Sequence, residues 1–217
     1  LRLHIRPGEE EFFQWIEPIV RSTQLLQVRL EHLMAAVRTG PPVLVELDLA
    51  PLICEATELF LKGTDPLGRK ITIRMNLPEN LPRVMGDGGR LIQVMLNLVS
   101  NAHEAILSAR PVGHIDVTAR ETHEGDVHWV AIDVADDGPG ISDVHLNRIF
   151  EPFFTTKDTG SGYGLYLASE IVREHGGRLT VCNGQAGGAC FTIWLPAAQA
   201  AEPSRAGPVD VGLPGTS

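Results

Sequence analysis

Four short stretches carry the residue types that could do chemistry. Asp136-Asp137-Gly138-Pro139-Gly140-Ile141 closes the run Trp129–Ala135, which reads as a buried strand. Carboxylates and bare backbone therefore meet at one strand end, where glycine lets a ligand approach closely. The bland reading is a tight turn, since Asp and Gly dominate turns; the sharper one is a wall of a nucleotide pocket. Asn97 and Asn101 stand four residues apart, on one face of a helix. Their carboxamides either bond nearby backbone or turn oxygens toward a hydrated cation, as magnesium prefers. Gly160-Ser161-Gly162-Tyr163-Gly164-Leu165 ends at a helix start, where consecutive amides make an anion site; the alternative is a hinge plus a cap. Lys157 lies just before it and could meet a phosphate as a point charge, or stand solvated in its loop. Phe150, Phe153 and Phe154 border the stretch Glu151–Ser161, which reads as mobile. They would anchor a lid over a pocket or add to the core.

Composition limits what these residues can hold. The chain has 217 residues and a formal net charge of −9, so it lacks a basic footprint and no nucleic-acid partner is expected. A polyanionic ligand must be held locally, by amides, a metal or a few cations, against an unhelpful overall field. A hydrophobic fraction of 43% allows a packed core. Cys54, Cys182 and Cys190 form no C-x-x-C pair and read as buried thiols of a reducing compartment. No apolar run is long enough to cross a bilayer, and no signal-like start is present. The expected location is cytoplasmic, with membrane attachment only through a segment upstream of Leu1. No G-x-x-x-x-G-K-[ST] occurs, which excludes a P-loop as the phosphate site.

The elements that must position these residues follow from periodicity. Glu9–Arg38 is helical, with Ile16, Ile19, Leu26, Leu30, Leu33 and Val37 at a/d heptad spacing. It is a surface helix or, on the sharper reading, one arm of a helical hairpin or dimer. Thr39-Gly40-Pro41-Pro42 breaks it. Strand Val43–Leu47, helix Pro51–Leu61 after Asp48, a turn over Gly63–Arg69 and strand Lys70–Met75 follow. Leu77–Gly86 reads as an extended connector. A helix capped by Asp87 runs to about Ser108, with Leu91, Val94, Met95, Leu98, Ala102 and Ala105 on its apolar face. Strands at His114–Ala119 and Val127–Val134, a short helix at Val144–Phe150 and a helix at Tyr163–His175 come next. A hairpin of Arg178–Cys182 and Cys190–Leu195 completes the order. Pro196–Ser217 reads as a disordered tail. This order predicts an α+β, two-layer sandwich with a mixed sheet and helices on one face, preceded by a long helix.

N-L-V-S-N-A at Asn97–Ala102, D-D-G-P-G-I at Asp136–Ile141, F-E-P-F-F-T-T-K at Phe150–Lys157 and G-S-G-Y-G-L at Gly160–Leu165 occur in that order. Together they resemble the catalytic ATP-binding domain of two-component sensor histidine kinases, where they are the N box, first glycine box, F box and second glycine box. The resemblance covers about Leu47 to Pro196 and implies the Bergerat-type sandwich shared with DNA gyrase, heat-shock chaperone ATPases and mismatch-repair ATPases. It implies ATP and Mg2+ as cofactors. Asp136 would accept a hydrogen bond from the adenine amino group, and Asn101 would hold magnesium. Asn97 would line the phosphate side as the catalytic asparagine. Gly138, Gly140 and Ile141 would close over base and ribose. Gly162, Tyr163, Gly164 and Leu165 would offer amides to phosphates, with Phe153, Lys157, Gly160 and Ser161 completing the nucleotide site. Asp137 stands where the family often has Asn or Thr; near phosphates its carboxylate would need a metal or a water shell, and no role is assigned to it.

The helix ending at Arg38 resembles the second helix of the family's dimerisation hairpin. The implied domains are 1–42 for that helix, 43–196 for the ATP-binding domain and 197–217 for the tail. The implied activity is transfer of the γ-phosphoryl group to a histidine, then to a response-regulator receiver domain, within a homodimer. The acceptor pattern His-Glu/Asp…Asn/Thr-Pro is not found around His4, His32, His103 or His175. Two alternatives stay open: a nucleotide-binding regulatory module without phosphotransfer, and an ATPase or serine kinase of the same superfamily.

Overall fold

The computed structural model of the protein describes residues 40–63, 70–157, 160–184 and 187–198. The heptad helix of residues 9–38, most of the turn after Gly63 and most of the tail lie outside them. The elements in chain order are β1 (Val45–Leu47), α1 (Leu49–Gly63), β2 (Lys70–Asn76), β3 (Val84–Gly86), α2 (Gly88–Ala109), β4 (Val112–Glu124), β5 (Val127–Asp136), α3 (Asp143–Leu146), α4 (Gly164–Glu174), β6 (Arg178–Asn183) and β7 (Ala189–Pro196). A five-stranded sheet has the order β2-β4-β5-β7-β6. Its β2–β4 pair is parallel and its other pairs are antiparallel. The expected mixed sheet is therefore present, with α1, α2 and α4 in one layer.

Sheet register builds the core. Val117 pairs with Val134, which pairs with Phe191; Ala119, Ile132 and Ile193 form the next row. All six are buried. Alternation along a strand sends every second side chain to the same face. On β5 the helix-facing series is Val130, Ile132, Val134 and then Asp136. The core row thus ends in a carboxylate.

α2 begins at the predicted cap, where Asp87 Oδ1 accepts from the Arg90 amide at 3.2 Å. Its buried stripe is Leu91, Val94, Met95, Leu98, Val99, Ala102 and Ile106, at the spacing of an amphipathic helix. Ala105, expected on that stripe, is only half-buried; Ile106 takes its place in the core. α4 ends in a Schellman motif, with Gly177 N donating to Val172 O at 2.9 Å and Gly176 N to Arg173 O at 3.0 Å. His175 is buried there. Its Nε2 accepts from the Asp87 amide at 2.9 Å, and its Nδ1 donates to Ile171 O at 2.7 Å. It is a packed histidine that ties the end of α4 to the start of α2.

Several features differ from expectation: the short helix expected over Val144–Phe150 spans only Asp143–Leu146, Pro196 closes β7 opposite Trp129 instead of opening a tail, and Cys182 is exposed where a buried thiol was expected. The connector Leu77–Gly86 ends in β3, which pairs with β1. Proline lacks the amide a ladder needs, and Val84–Gly86 lies past both Pro78 and Pro82. The strand expected over His114–Ala119 extends to Glu124, because β5 pairs with it up to the Gly125-Asp126 turn.

Candidate functional site

Asp136 stands at the end of β5 and is 8% exposed. Its Oδ1 accepts from the Gly138 amide at 2.9 Å and the Ala189 amide at 3.3 Å. No hydrogen bond among the described residues falls on Oδ2. Two amides thus orient the carboxylate and leave one oxygen as an acceptor. Burial raises its pKa, and this outweighs the lowering by the two amides. Gly138 follows because nothing larger fits: a Cβ there would lie 2.8 Å from Asp136 Oδ1 and 3.2 Å from the Ala105 carbonyl carbon. Gly138 thus packs directly against the α2 backbone at Ala105 and Ile106.

Asp137 turns the other way and needs no metal. Its Oδ1 accepts from the His114 amide at 3.0 Å, and its Oδ2 lies 2.6 Å from Arg110 Nη2 and 3.1 Å from His114 Nε2. Partial burial pushes its pKa up, but the His114 amide and ring and the Arg110 guanidinium hold it below the ordinary carboxylate value. A depressed folded pKa contributes stability above the unfolded value, lost as pH falls through the folded one. Asp137→Asn is therefore expected to cost about 1 kcal/mol at pH 7, with the gap from wild type closing below about pH 3.9. Urea unfolding at both pH values measures it; an equal deficit at pH 3 would mean the effect is not ionic. Asp136 has the opposite sign. Its raised pKa makes the folded state the better proton binder, so its contribution to stability declines as pH rises above the unfolded value.

Asn97 and Asn101 share a half-buried face of α2. Asn97 Nδ2 donates to Gly164 O at 3.1 Å and so ties α2 to the first residue of α4. Asn101 Oδ1 lies 3.1 Å from Lys157 Nζ, which also meets Glu104 Oε2 at 2.5 Å. The oxygen expected to face a metal faces an ammonium instead. Oxygen donors from Asn101 and Glu104 form a cation-seeking corner of the hard type that suits magnesium. Sequence marks Glu104 only as the neighbour of His103 in the N box and gives it no part in the site.

α4 opens without a side-chain cap, so its first amides have no intrahelical partner. Tyr163 N donates to Ser161 Oγ at 3.4 Å. Gly160 N donates to Lys157 O at 3.1 Å, closing a turn at the start of the glycine loop. Gly162 has φ +65°, and a Cβ there would lie 2.4 Å from the Phe153 carbonyl carbon. The second glycine box is thus pressed against the F box. Of the three F-box aromatics, Phe150 packs edge-on against Phe191 and Phe154 lies under Arg148. Phe153 does not anchor: it is 75% exposed, adopts φ 66°, and its ring centre lies 6.0 Å from that of Tyr163.

Asn183 is a site residue the sequence did not reveal. Its Oδ1 accepts from the Ile141 amide at 2.8 Å, and its Nδ2 donates to Ile141 O at 2.6 Å, across 42 positions of chain. Pairing at that separation has no local signature. The β6–β7 end therefore holds the Asp136–Ile141 loop twice, through Asn183 and through the Ala189 amide.

Residues 86–199 match the family described as histidine kinase-, DNA gyrase B-, and HSP90-like ATPase. The chain is 36% identical over 190 residues to sensor histidine kinase ZraS of Escherichia coli (strain K12), covering 88% of this chain and 39% of that protein. It thus spans about two fifths of the length of the curated relatives it matches first. The solved catalytic domain of histidine kinase ThkA is 32% identical, with a TM-score of 0.61, covering 71% of this chain and 95% of that one. Full-length ShkA, solved in complex with AMPPNP, is 28% identical with a TM-score of 0.66, covering 93% of this chain and 42% of that one. Fold, site order and relatives agree: this chain belongs to the histidine kinase-, DNA gyrase B- and HSP90-like ATPase family, among the sensor histidine kinases.

Proposed function

We propose that the chain binds ATP with Mg2+ and passes the γ-phosphoryl group to a histidine, for relay to an aspartate of a response-regulator receiver domain. The observation that carries this reading is Asp136, with one oxygen pinned by two amides and the other left to accept from an adenine amino group. Gly138, Gly140 and Ile141 form the backbone beside the base. Asn101 is the residue that would hold Mg2+; when bound, the ion neutralises charge at the phosphates. The amides of Gly162, Tyr163, Gly164 and Leu165 receive phosphate oxygens at the uncapped helix start, and Asn97 holds that start in place. Lys157 leaves Glu104 for the more highly charged phosphates, while Gly160, Ser161 and Phe153 shape its loop. The AMPPNP bound by ShkA supports nucleotide binding here. The sensor-kinase relatives support a homodimer and a receiver-domain partner.

The test supplies labelled ATP, Mg2+ and, in trans, hairpin domains bearing the His-Glu/Asp…Asn/Thr-Pro pattern. An acid-labile, alkali-stable label on the hairpin histidine is expected. ATP binding with no label on any hairpin would favour a regulatory module. Phosphoserine or released phosphate would favour the serine-kinase or ATPase alternative.

A further inference from the structure

A second cluster of ligating side chains sits at the other end of β5 from Asp136. His128 and Asp136 are separated by eight positions on β5, which is about 26 Å along a strand. The Gly125-Asp126 turn leaves Glu124 opposite Val127, and the next pair inward is His123 opposite His128. In a two-residue hairpin this second pair is the non-hydrogen-bonded kind, whose side chains approach most closely. The two imidazoles stack, with ring centres 4.3 Å apart and planes 6° from parallel.

Glu121 stands two residues before His123, on the same face of β4. Its Oε1 lies 2.6 Å from His128 Nε2. That approach misses hydrogen-bond alignment, and His128 Nε2 is buried without a hydrogen-bond partner. One ligand atom from each of Glu121, His123 and His128 lies within 4.8 Å of the other two. A tetrahedral ion with bonds of about 2.0–2.1 Å spaces its ligand atoms roughly 3.4 Å apart. The widest pair must close by up to about 1.4 Å and Glu121 Oε1 must draw back from His128 Nε2 by about 0.8 Å, both within reach of side-chain rotation by Glu121 and His123, which are exposed.

We propose that Glu121, His123 and His128 form a binding site for a divalent transition-metal ion, separate from the nucleotide site. Two imidazoles and a carboxylate suit zinc, nickel or copper(II), whereas magnesium and calcium take oxygen ligands. A water completes the coordination of the exposed ion. Because its ligands come from both strands, the ion pins the hairpin end that projects away from the nucleotide loops.

Zinc is the probe, titrated calorimetrically into the tag-free chain with excess Mg2+ present. One zinc ion per chain is expected. His123→Ala and His128→Ala should each weaken it by about tenfold or more, the scale on which altered metal sites lose affinity. Zinc should raise the melting temperature of wild type but not of His123→Ala. His123→Gln is the check should either alanine variant prove unstable without metal. Absence of zinc binding, or undiminished binding by His123→Ala and His123→Gln, would overturn the proposal. So would binding lost only when Cys182 and Cys190 become serine, or zinc that competes with ATP.

Discussion

Asp136→Asn is expected to weaken ATP binding at least about 100-fold, roughly 3 kcal/mol, because it turns an acceptor into a donor opposite a donor. The substitution keeps the side chain's shape. A carboxamide oxygen still accepts from the Gly138 and Ala189 amides, which hold Oδ1 at 2.9 and 3.3 Å. The free Oδ2 becomes an NH2 group facing the adenine amino group. Alanine would be a poorer probe, since it strips both amides of their partner and costs about 1–3 kcal/mol of fold stability for each. The asparagine variant should melt no lower than wild type at neutral pH, because it also removes a buried charge whose pKa is raised by burial. Calorimetric titration with ATP, paired with a thermal melt, separates the two effects. Wild-type affinity in the asparagine variant would refute the adenine assignment. In wild type, affinity should fall as pH drops through the raised Asp136 pKa, since protonation makes Oδ2 a hydroxyl, a donor and a much weaker acceptor.

Asn101→Ala is expected to abolish the response of ATP binding to Mg2+ and to lower phosphotransfer by about 10²–10³, the scale of losing one electrostatic stabiliser of the transferring group. The motive is the corner where Asn101 Oδ1 and Glu104 Oε2 already hold a cation, the Lys157 ammonium. Lys157→Met is the control. It should weaken ATP in both the presence and absence of Mg2+ by a factor of about 2–5, as for one partly exposed charge contact, and leave the metal enhancement intact. Titrations with Mg2+ and with chelator distinguish the variants. If Asn101→Ala still binds ATP more tightly with Mg2+, another group holds the ion.

Much of the fold was legible because its signals are local. Asp87 caps a helix whose stripe repeats every three to four residues, and β5 and β7 are apolar enough to read as interior strands. Glycine and proline placed most boundaries. β3 has no local signature because three residues between turns carry too little pattern; β1 pairs with it on one side and Ala197 bridges Val84 on the other. Spacing places Ala105 at the edge of the stripe, and the turn of the helix puts Ile106 in the core beside it.

By itself the sequence determined the order of the glycine and asparagine boxes, and with it the family and the residue types at the site. Those are properties of spacing along the chain. The tertiary structure decided where each carboxylate points. Asp136 and Asp137 are adjacent and chemically identical. The pleat of β5 sends Asp136 inward along Val130, Ile132 and Val134, while Asp137, one residue past the strand, turns to Arg110 and His114. It also decided that Asn97 positions α4, that Lys157 occupies the oxygen of Asn101, and that Asn183 clamps Ile141. Each of these joins groups far apart in sequence, and such pairings follow from sheet register and helix packing, which no local window contains.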